Sequence, residues 1–300
     1  MKSNQLKIKK SGIINNIDLF LFLLKKTIPY LTIYKIINLF KLFISKIFYI
    51  KLNTKPYFIL TDTINTCNLD CKMCFTKQIH FKEKIVYSYD IEFFEDFLKK
   101  NNKTLIFIMF GCLWEPSLNK DIYKMLELCN KYKVLAFLTT NLVNCDINKL
   151  VKTQTPYIQV SISAGDKEIY KKIHGKDYFI KVQKNLADLA YIINNQKLSI
   201  YIHVKSVLQK DNENLKTIKK LRLFLKKIKI NKFSLKKFQS VRNLNDNLEI
   251  LPKNTNFFDK TNGIDKFSIH KKTRNYSMKY VGPDKKTSKN EALYLIESSE

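Results

Sequence analysis

The chain has 300 residues, 45% of them hydrophobic and only six each glycine and proline, a globular balance that excludes an intrinsically disordered chain. Its formal net charge is +28, yet only three of the 54 basic residues are arginine. Because nucleic-acid recognition relies on the bidentate contacts of arginine, specific nucleic-acid binding is disfavoured. Six cysteines are too few for a disulfide scaffold. With no signal peptide and no apolar run of bilayer length, the sequence predicts a cytoplasmic protein.

The first predicted element is an N-terminal helical extension over residues 1–52. Its segment IYKIINLFKLFISKIFYIK carries Lys35, Lys41, Lys46 and Lys51 at intervals that group them loosely on one side of a helix. We expect this helix to pack on the domain that follows. The alternative is a basic amphipathic helix that lies on an anionic membrane surface, which would make the protein membrane-peripheral.

From Pro56 onward, six short apolar segments alternate with amphipathic ones. Strands are predicted at residues 57–65, 104–111, 134–141, 157–163, 198–206 and 232–238, with helices starting near Ile91, Asp121, Asp146, Tyr178 and Glu213. This repetition indicates parallel strands joined by right-handed crossovers, in an α/β barrel or an open α/β sheet over residues 53–240. Residues 241–300 are polar with little periodicity, and are predicted to form a loosely ordered C-terminal extension.

Three of the six cysteines, Cys67, Cys71 and Cys74, lie within eight residues directly after the first predicted strand. Their thiolates are soft, anionic ligands that suit zinc or an iron–sulfur cluster. A structural zinc would need a fourth ligand such as His80, and the C-x3-C-x2-C spacing does not match the paired spacing of zinc knuckles. Three cysteines that hold a four-iron cluster would leave one iron open to a substrate.

At these residues the sequence resembles the radical SAM superfamily, whose signature is CX3CX2C on the loop after the first barrel strand. The resemblance covers about residues 56–240 and implies a partial (β/α)6 TIM-type barrel with its site at the carboxyl ends of the strands. It implies that Cys67, Cys71 and Cys74 are the catalytic ligands of a 4Fe-4S cluster. It further implies S-adenosyl-L-methionine as cofactor and an external one-electron donor of the flavodoxin or ferredoxin type. The implied reaction cleaves S-adenosylmethionine reductively and uses the 5'-deoxyadenosyl radical on a substrate.

Further motifs indicate where the resemblance implies cofactor contacts. FGCLWEP after the second strand stands where the family has a Gly-Gly-Glu-Pro-like turn, with Leu113 and Trp114 in place of small glycines. TTNL ends the third strand where the family has Thr-Thr-Asn-Gly, and VSIS ends the fourth. The residues carried over as cofactor contacts are Met73, Gly111, Glu115, Thr140, Asn141, Ser161 and Ser163.

Alternate residues of the fifth and sixth strands predict the substrate pocket, because successive strand residues face the helices and the lumen in turn. If the apolar residues of the fifth strand face the helices, the lumen receives Tyr201, His203 and Lys205 from that strand. The sixth strand adds Lys236. Two lysines and a histidine suit a polar or anionic substrate: a small molecule, a peptide or an envelope precursor. The alternative is that these lysines extend to the rim.

Three classes of function remain open. The first is a radical SAM enzyme acting on such a substrate, and the second is a radical SAM enzyme that modifies RNA, favoured by the charge and disfavoured by the scarcity of arginine. The third is a non-catalytic metal-binding module, favoured by Leu113, Trp114 and Leu142. No cysteine follows Cys145, so we do not expect the C-terminal auxiliary-cluster domain that many peptide-modifying relatives carry.

Overall fold

The elements of the chain follow the predicted alternation of strands and helices. The structure, a computed structural model, describes residues 12–78, 85–213, 215–237, 278–281 and 287–288. In these residues the helices are α1 (Gly12–Thr27), α2 (Ile33–Ile47), α3 (Phe75–Gln78), α4 (Ile91–Asn101), α5 (Ile122–Lys131), α6 (Ile147–Lys152), α7 (Lys167–His174), α8 (Phe179–Asn195) and α9 (Leu215–Lys227). The strands are β1 (Phe58–Thr61), β2 (Phe107–Phe110), β3 (Leu135–Thr140), β4 (Tyr157–Ser161), β5 (Tyr201–Leu208), β6 (Lys232–Lys237), β7 (Met278–Val281) and β8 (Thr287–Ser288).

The strands form one sheet in the order β6-β5-β4-β3-β2-β1-β7-β8. Strands β1 to β6 pair in parallel with their neighbours in sequence, and helices connect them. The outer strands of this order are β6 and β8, so the sheet is not closed within the described part of the chain. The predicted six-stranded partial α/β barrel is therefore confirmed, and the carboxyl ends of all six strands lie at one edge.

Two short strands come from residues 241–300, which the sequence predicted to be loosely ordered. Met278–Val281 pairs in parallel with Phe58–Thr61, and β8 pairs antiparallel with β7. Val281 is buried, and its carbonyl accepts a hydrogen bond from Thr61 Oγ1 at 2.9 Å. These two strands form without a local periodicity of their own, because β1 offers its outer edge to an extended segment.

The main hydrophobic core lies between one face of the sheet and the helices that cover it. Alternate strand residues enter this core and are fully buried, among them Ile108, Ile158, Val160, Ile202 and Val204. In β4 and β5 every second residue therefore enters this core, which is the alternation that the sequence predicted for these strands.

Aromatic side chains fill the other face of the sheet at the amino-terminal half of the strands. Phe58, Phe107, Phe137, Tyr157 and Tyr201 come from five successive strands, and the ring centroids of neighbours in this row lie 5.3–6.1 Å apart. Rings at these separations pack in direct contact. The aromatic row therefore closes the base of the half-barrel and leaves polar residues at the carboxyl ends.

The N-terminal extension contacts this base. In α2, Lys35 is fully buried and donates a hydrogen bond to the carbonyl of Lys133, just before β3. Asn38 bonds both backbone groups of Lys55, just before β1, at 2.9 and 3.0 Å. Lys35 is therefore buried against the base of the sheet, whereas Lys41 is exposed. The hydrogen bond to the Lys133 carbonyl explains why the Lys35 side chain is buried.

Within the described part of the chain, none of the helices is long and apolar enough to cross a membrane.

Candidate active site

The loop that carries the three cysteines follows β1 and rests on the end of α7. The backbone N–H groups of Asp70 and Lys72 donate to the carbonyls of His174 and Ile173, each at 3.0 Å. These carbonyls belong to the last turn of α7, where the helix itself provides no donors. Two orphan acceptors of the helix therefore hold the cysteine loop in place.

Gly175, which ends α7, makes this close approach feasible. Its φ is +72°, the left-handed conformation that favours glycine. A Cβ atom on Gly175 would lie 2.6 Å from the carbonyl oxygen of Asp70. Asp211 strengthens the contact from outside, because its carboxylate bridges Lys72 of the loop and Lys172 of α7 at 3.2 and 2.7 Å.

His174 links α7 directly to the cysteine sulfurs. It is buried, and its Nδ1 lies 3.1 Å from Cys71 Sγ, while its Nε2 lies 3.3 Å from the backbone nitrogen of Ser163. A backbone N–H can only donate, so Nε2 is the acceptor. Burial lowers the pKa of His174 to about 3, which keeps the ring neutral. The one ring proton is therefore on Nδ1 and is donated to the sulfur of Cys71.

The other two cysteines also lie beside hydrogen-bond donors. Cys67 Sγ accepts from the backbone N–H of Leu69 at 3.5 Å, and Asn141 Nδ2 lies 3.8 Å from it. Cys74 Sγ lies 3.0 Å from Thr76 Oγ1. None of the three sulfurs is in a disulfide. Burial raises the pKa of the Cys67 thiol to about 12, against the hydrogen bonds from Leu69 and Asn141, which favour the thiolate.

Asp62, at the end of β1, organises the turn after β2. Its buried carboxylate accepts the backbone N–H groups of Cys112, Leu113 and Trp114 at distances of 2.9–3.2 Å. Three successive amides that converge on one anion form a backbone nest. Leu113 and Trp114 stand where the family has small glycines. Their backbone N–H groups donate to the Asp62 carboxylate of the protein itself.

Glu115 ties the carboxyl ends of β2 and β3 together. Its carboxylate accepts from Thr140 Oγ1 at 2.6 Å, from the backbone N–H of Asn141 at 2.7 Å and from Ser117 Oγ at 2.6 Å. Burial raises the pKa of this carboxyl, against the donated hydrogen bonds, which favour the carboxylate. Asn141 Nδ2 continues the network to Asn68 Oδ1 at 2.7 Å, next to Cys67.

Two further motif residues have backbone roles. Gly111 has a φ of +80°, and a Cβ atom there would lie 2.1 Å from the carbonyl oxygen of Thr139. Only glycine therefore fits at this position, where the chain leaving β2 passes close to the backbone of β3. Leu142 replaces the glycine of the family's Thr-Thr-Asn-Gly and keeps a left-handed φ of 63°. Its side chain is fully buried in the core, which offsets the backbone strain.

Ser161 and Ser163 lie at the carboxyl end of β4. Ser161 is half-buried and pairs in register with Lys205 of β5. Ser163 is buried, and its Oγ accepts the backbone N–H of Val207 at 3.0 Å. Lys205 and Lys236, both half-buried, are on β5 and β6 at this end of the sheet. The structure thus brings both lysines to the same edge as the cysteine loop.

The remaining predicted pocket residues lie deeper. His203 is buried, with its ring nitrogens bonded to the hydroxyl groups of Tyr157 and Ser234. Tyr201 begins β5 and packs in the aromatic row, where Phe22 of α1 contacts it at a ring distance of 5.3 Å. The structure therefore places Tyr201 at the opposite end of the strand from the cysteine loop.

The cysteine loop and its surroundings fit the four-iron cluster that the resemblance implies. Each sulfur lies near a donor, as the sulfurs of a negatively charged cluster require. Asn68 Nδ2 is buried beside Cys67 with no acceptor within the described residues, so a donor remains for a bound group. Met73 is half-buried on the same loop, between the second and third cysteine.

Across the described ranges, no three His, Cys, Asp or Glu side chains converge on one point as the ligands of one ion do. Thiolates that each bind a different iron of a cluster do not have to converge in this way. His80, the fourth ligand of the zinc alternative, lies outside the described residues.

Comparison with known proteins adds two kinds of likeness. An uncharacterized protein of Methanocaldococcus jannaschii, MJ0804, is 28% identical over 168 residues, 55% of this chain and 53% of that protein. SuiB of Streptococcus suis bound to S-adenosylmethionine superposes with a TM-score of 0.58 at 17% identity, covering 79% of this chain and 60% of SuiB. SuiB bound to its precursor peptide SuiA superposes with a TM-score of 0.57 at 16% identity, covering 81% of this chain and 61% of SuiB.

This chain spans a little over half of the M. jannaschii protein and about three fifths of SuiB. At 17% identity the likeness to SuiB concerns the fold alone. The family model described as Radical SAM superfamily matches residues 61–224, more than half of the chain, from the end of β1 to α9. That range includes the three cysteines, Asp62, Glu115 and His174. The chain belongs to the radical SAM superfamily.

Proposed function

We propose that this protein is an enzyme that cleaves S-adenosyl-L-methionine reductively and uses the resulting radical on a polar or anionic substrate. The observation that carries the proposal is the cysteine loop, which is held by the end of α7. Its three cysteines are in no disulfide, and each sulfur lies near a hydrogen-bond donor. When bound, the cluster and S-adenosylmethionine supply one electron and a 5'-deoxyadenosyl radical, with an external flavodoxin- or ferredoxin-type donor as the electron source.

The residues of this chain hold and orient these groups. Cys67, Cys71 and Cys74 would bind three irons. Glu115 keeps the ends of β2 and β3 together, so that Asn141 stays beside the first cysteine. Their hydrogen bonds fix the backbone from which cofactor contacts are made, and fixed donors cost no reorganisation when the reaction occurs.

The substrate class is inferred from the carboxyl ends of β4 to β6. Lys205 lies in register between Ser161 and Ser234, and Lys236 is one pleat further along β6. Two cationic side chains and two hydroxyls on one surface favour an anionic or polar substrate, which we propose to be a small molecule, a peptide or an envelope precursor. The aromatic row below them closes the base, so a substrate would approach from the carboxyl ends.

Anaerobic reconstitution of the full chain tests this proposal. We expect about four irons per chain and formation of 5'-deoxyadenosine under reducing conditions. Replacing Cys67, Cys71 or Cys74 with Ala removes one thiolate ligand. Each replacement should abolish 5'-deoxyadenosine formation and cause the loss of most of the bound iron. Lys205→Ala should keep both properties if Lys205 serves the substrate rather than the cofactor.

Cys112→Ala is the matched control, because Cys112 is a half-buried cysteine outside the loop and is in no disulfide. It should keep its iron and its 5'-deoxyadenosine formation. Stoichiometric zinc without any cluster after reconstitution would contradict the proposal.

A further inference from the structure

We propose that the outward faces of α1 and α2 dock this protein on an anionic membrane surface. The outward apolar face of α1 consists of Ile17, Phe20 and Leu24, and that of α2 consists of Ile33, Phe40 and Phe43, all of them exposed. Phe20 is 63% exposed and Phe40 is 62% exposed. At 100° per residue, each set falls within an arc of about 80° on one side of its helix.

The α2 helix presents its apolar side outward because its polar side is used by the barrel. Lys35 and Asn38 lie outside that apolar arc, are buried, and bond the backbone at Lys133 and Lys55. A helix that covers a soluble domain normally buries its apolar arc and exposes its polar one. The reversed orientation leaves apolar side chains that a second surface can cover.

The lysines around the outward faces of α1 and α2 indicate which kind of surface covers these faces. Lys41 and Lys46 border the outward apolar face of α2 on its two sides, and Lys25 borders that of α1; all three are exposed. Residues 1–52 contain ten lysines and a single acidic residue, Asp18. An apolar arc between lysines matches the boundary between acyl chains and anionic headgroups. A second copy of this chain would bring like charge against like charge, so the charge favours lipid.

A cleft at the end of α1 has the chemistry to receive a headgroup. It lies between α1 and the base of the sheet and has a volume of about 540 Å³. Its lining combines Lys25 and Lys26 with polar groups from Asn130, Gln154 and Ser199. Two ammonium groups beside neutral donors suit the phosphate or carboxylate of an anionic lipid.

This docking would orient the enzyme on the membrane. The α2 helix contacts residues that precede β1 and β3, and Phe22 of α1 contacts Tyr201, the first residue of β5. These contacts lie at the amino ends of the strands, whereas the cysteine loop follows the carboxyl end of β1. A membrane under α1 and α2 therefore leaves the cysteine loop facing away from the bilayer, open to an electron donor in solution.

Flotation of the full chain with vesicles tests the proposal. The vesicles are phosphatidylcholine alone, or phosphatidylcholine with about one third phosphatidylserine. We expect binding to the anionic vesicles that weakens with salt, and little binding to the neutral ones. The double variant Phe20→Gln with Phe40→Gln removes one aromatic ring from each outward face, and should lower partitioning roughly tenfold or more.

The matched control replaces Tyr191 and Leu223 with Gln. Each is 69% exposed, on α8 and α9 respectively, away from the two faces. This control should bind vesicles as the unchanged protein does. Equal vesicle binding by the Phe20/Phe40 variant, or no binding of the unchanged chain to anionic vesicles, would overturn the proposal.

Two other measurements detect other occupants of the faces. If sedimentation shows a dimer that the Phe20/Phe40 variant dissociates, with no vesicle binding, a second copy covers the faces and the proposal is wrong. A fall in melting temperature for this variant but not for the control would mean that another segment of the chain covers them, and would also overturn it. Cofactor cleavage is independent of all these outcomes, so failure here leaves the proposed function intact.

Discussion

At the scale of single residues, His174 has a fixed tautomer and donates its only ring proton to Cys71. The acceptor role of Nε2 toward Ser163 and the burial of the ring together determine this direction. A hydrogen bond to a ligand sulfur stabilises the more negative, reduced form of an iron–sulfur cluster. His174 is thus a positioning residue that acts on the cluster through Cys71.

Replacing His174 with Leu should therefore lower the midpoint potential of the reconstituted cluster. One hydrogen bond of ordinary strength corresponds to a shift on the order of 50 mV for a one-electron couple. A redox titration monitored by electron paramagnetic resonance measures the shift, with iron content as a separate readout.

His174→Gln provides the conservative comparison, because its amide offers both a donor and an acceptor. We expect the midpoint potential to return most of the way toward that of the unchanged protein. Unchanged potentials in both variants, with full iron content, would show that the contact with Cys71 has no electronic effect.

The sequence identified the site residues whose signal is local, and missed those whose role depends on distant contacts. Cys67, Glu115 and Asn141 stand in short motifs, and the structure joins them in one network. Asp62 acts on amides 50–52 residues away, and His174 acts on a sulfur 103 residues away. Nothing in the neighbourhood of either residue along the chain shows those contacts.

At the scale of elements, the end of α7 and the cysteine loop form one unit. The loop donates two backbone hydrogen bonds to α7, and Gly175 leaves room for the backbone of Asp70. Gly175→Ala would place a methyl group within 2.6 Å of that carbonyl oxygen at a φ of +72°. Either the loop or the end of the helix must then move.

We expect Gly175→Ala to reduce the iron retained after reconstitution by at least half, and to destabilise the fold by roughly 1–3 kcal/mol. Iron analysis and thermal unfolding measure the two effects. Lys171→Ala on the exposed side of α7 is the matched control and should change neither. Full iron retention in Gly175→Ala would show that the loop does not depend on this contact.

Elements also differ in how far local sequence determines them. The six parallel strands were predictable because each alternates with an amphipathic helix, a pattern that few folds share. The β7 strand was not, since its four residues gain their stability from pairing with β1, which lies more than 200 residues earlier. In α2 the helix was predictable but its orientation was not, because acceptors at the base of the sheet decide which arc is buried.

At the scale of the whole molecule, the two ends of the sheet have separate roles. The carboxyl ends carry the cysteine loop, the Glu115 network and the proposed substrate surface. The amino ends are closed by the aromatic row and clamped by the N-terminal extension. Because the buried body of the sheet lies between them, a local change at one end should leave the other end intact.

Asn38→Ala tests this separation. It removes both hydrogen bonds to Lys55 and leaves those backbone groups without their partner, so it should destabilise the folded state by roughly 1–3 kcal/mol. Thermal unfolding measures this loss, and Asn185→Ala, which removes an amide contact to the Leu142 carbonyl near the site, is the comparison. In the folded fraction, Asn38→Ala should retain the full iron content and an unchanged midpoint potential, since the cysteine loop lies at the other end of β1. Loss of iron from protein that is still folded would show that the clamp at the base and the cluster site are coupled through the sheet.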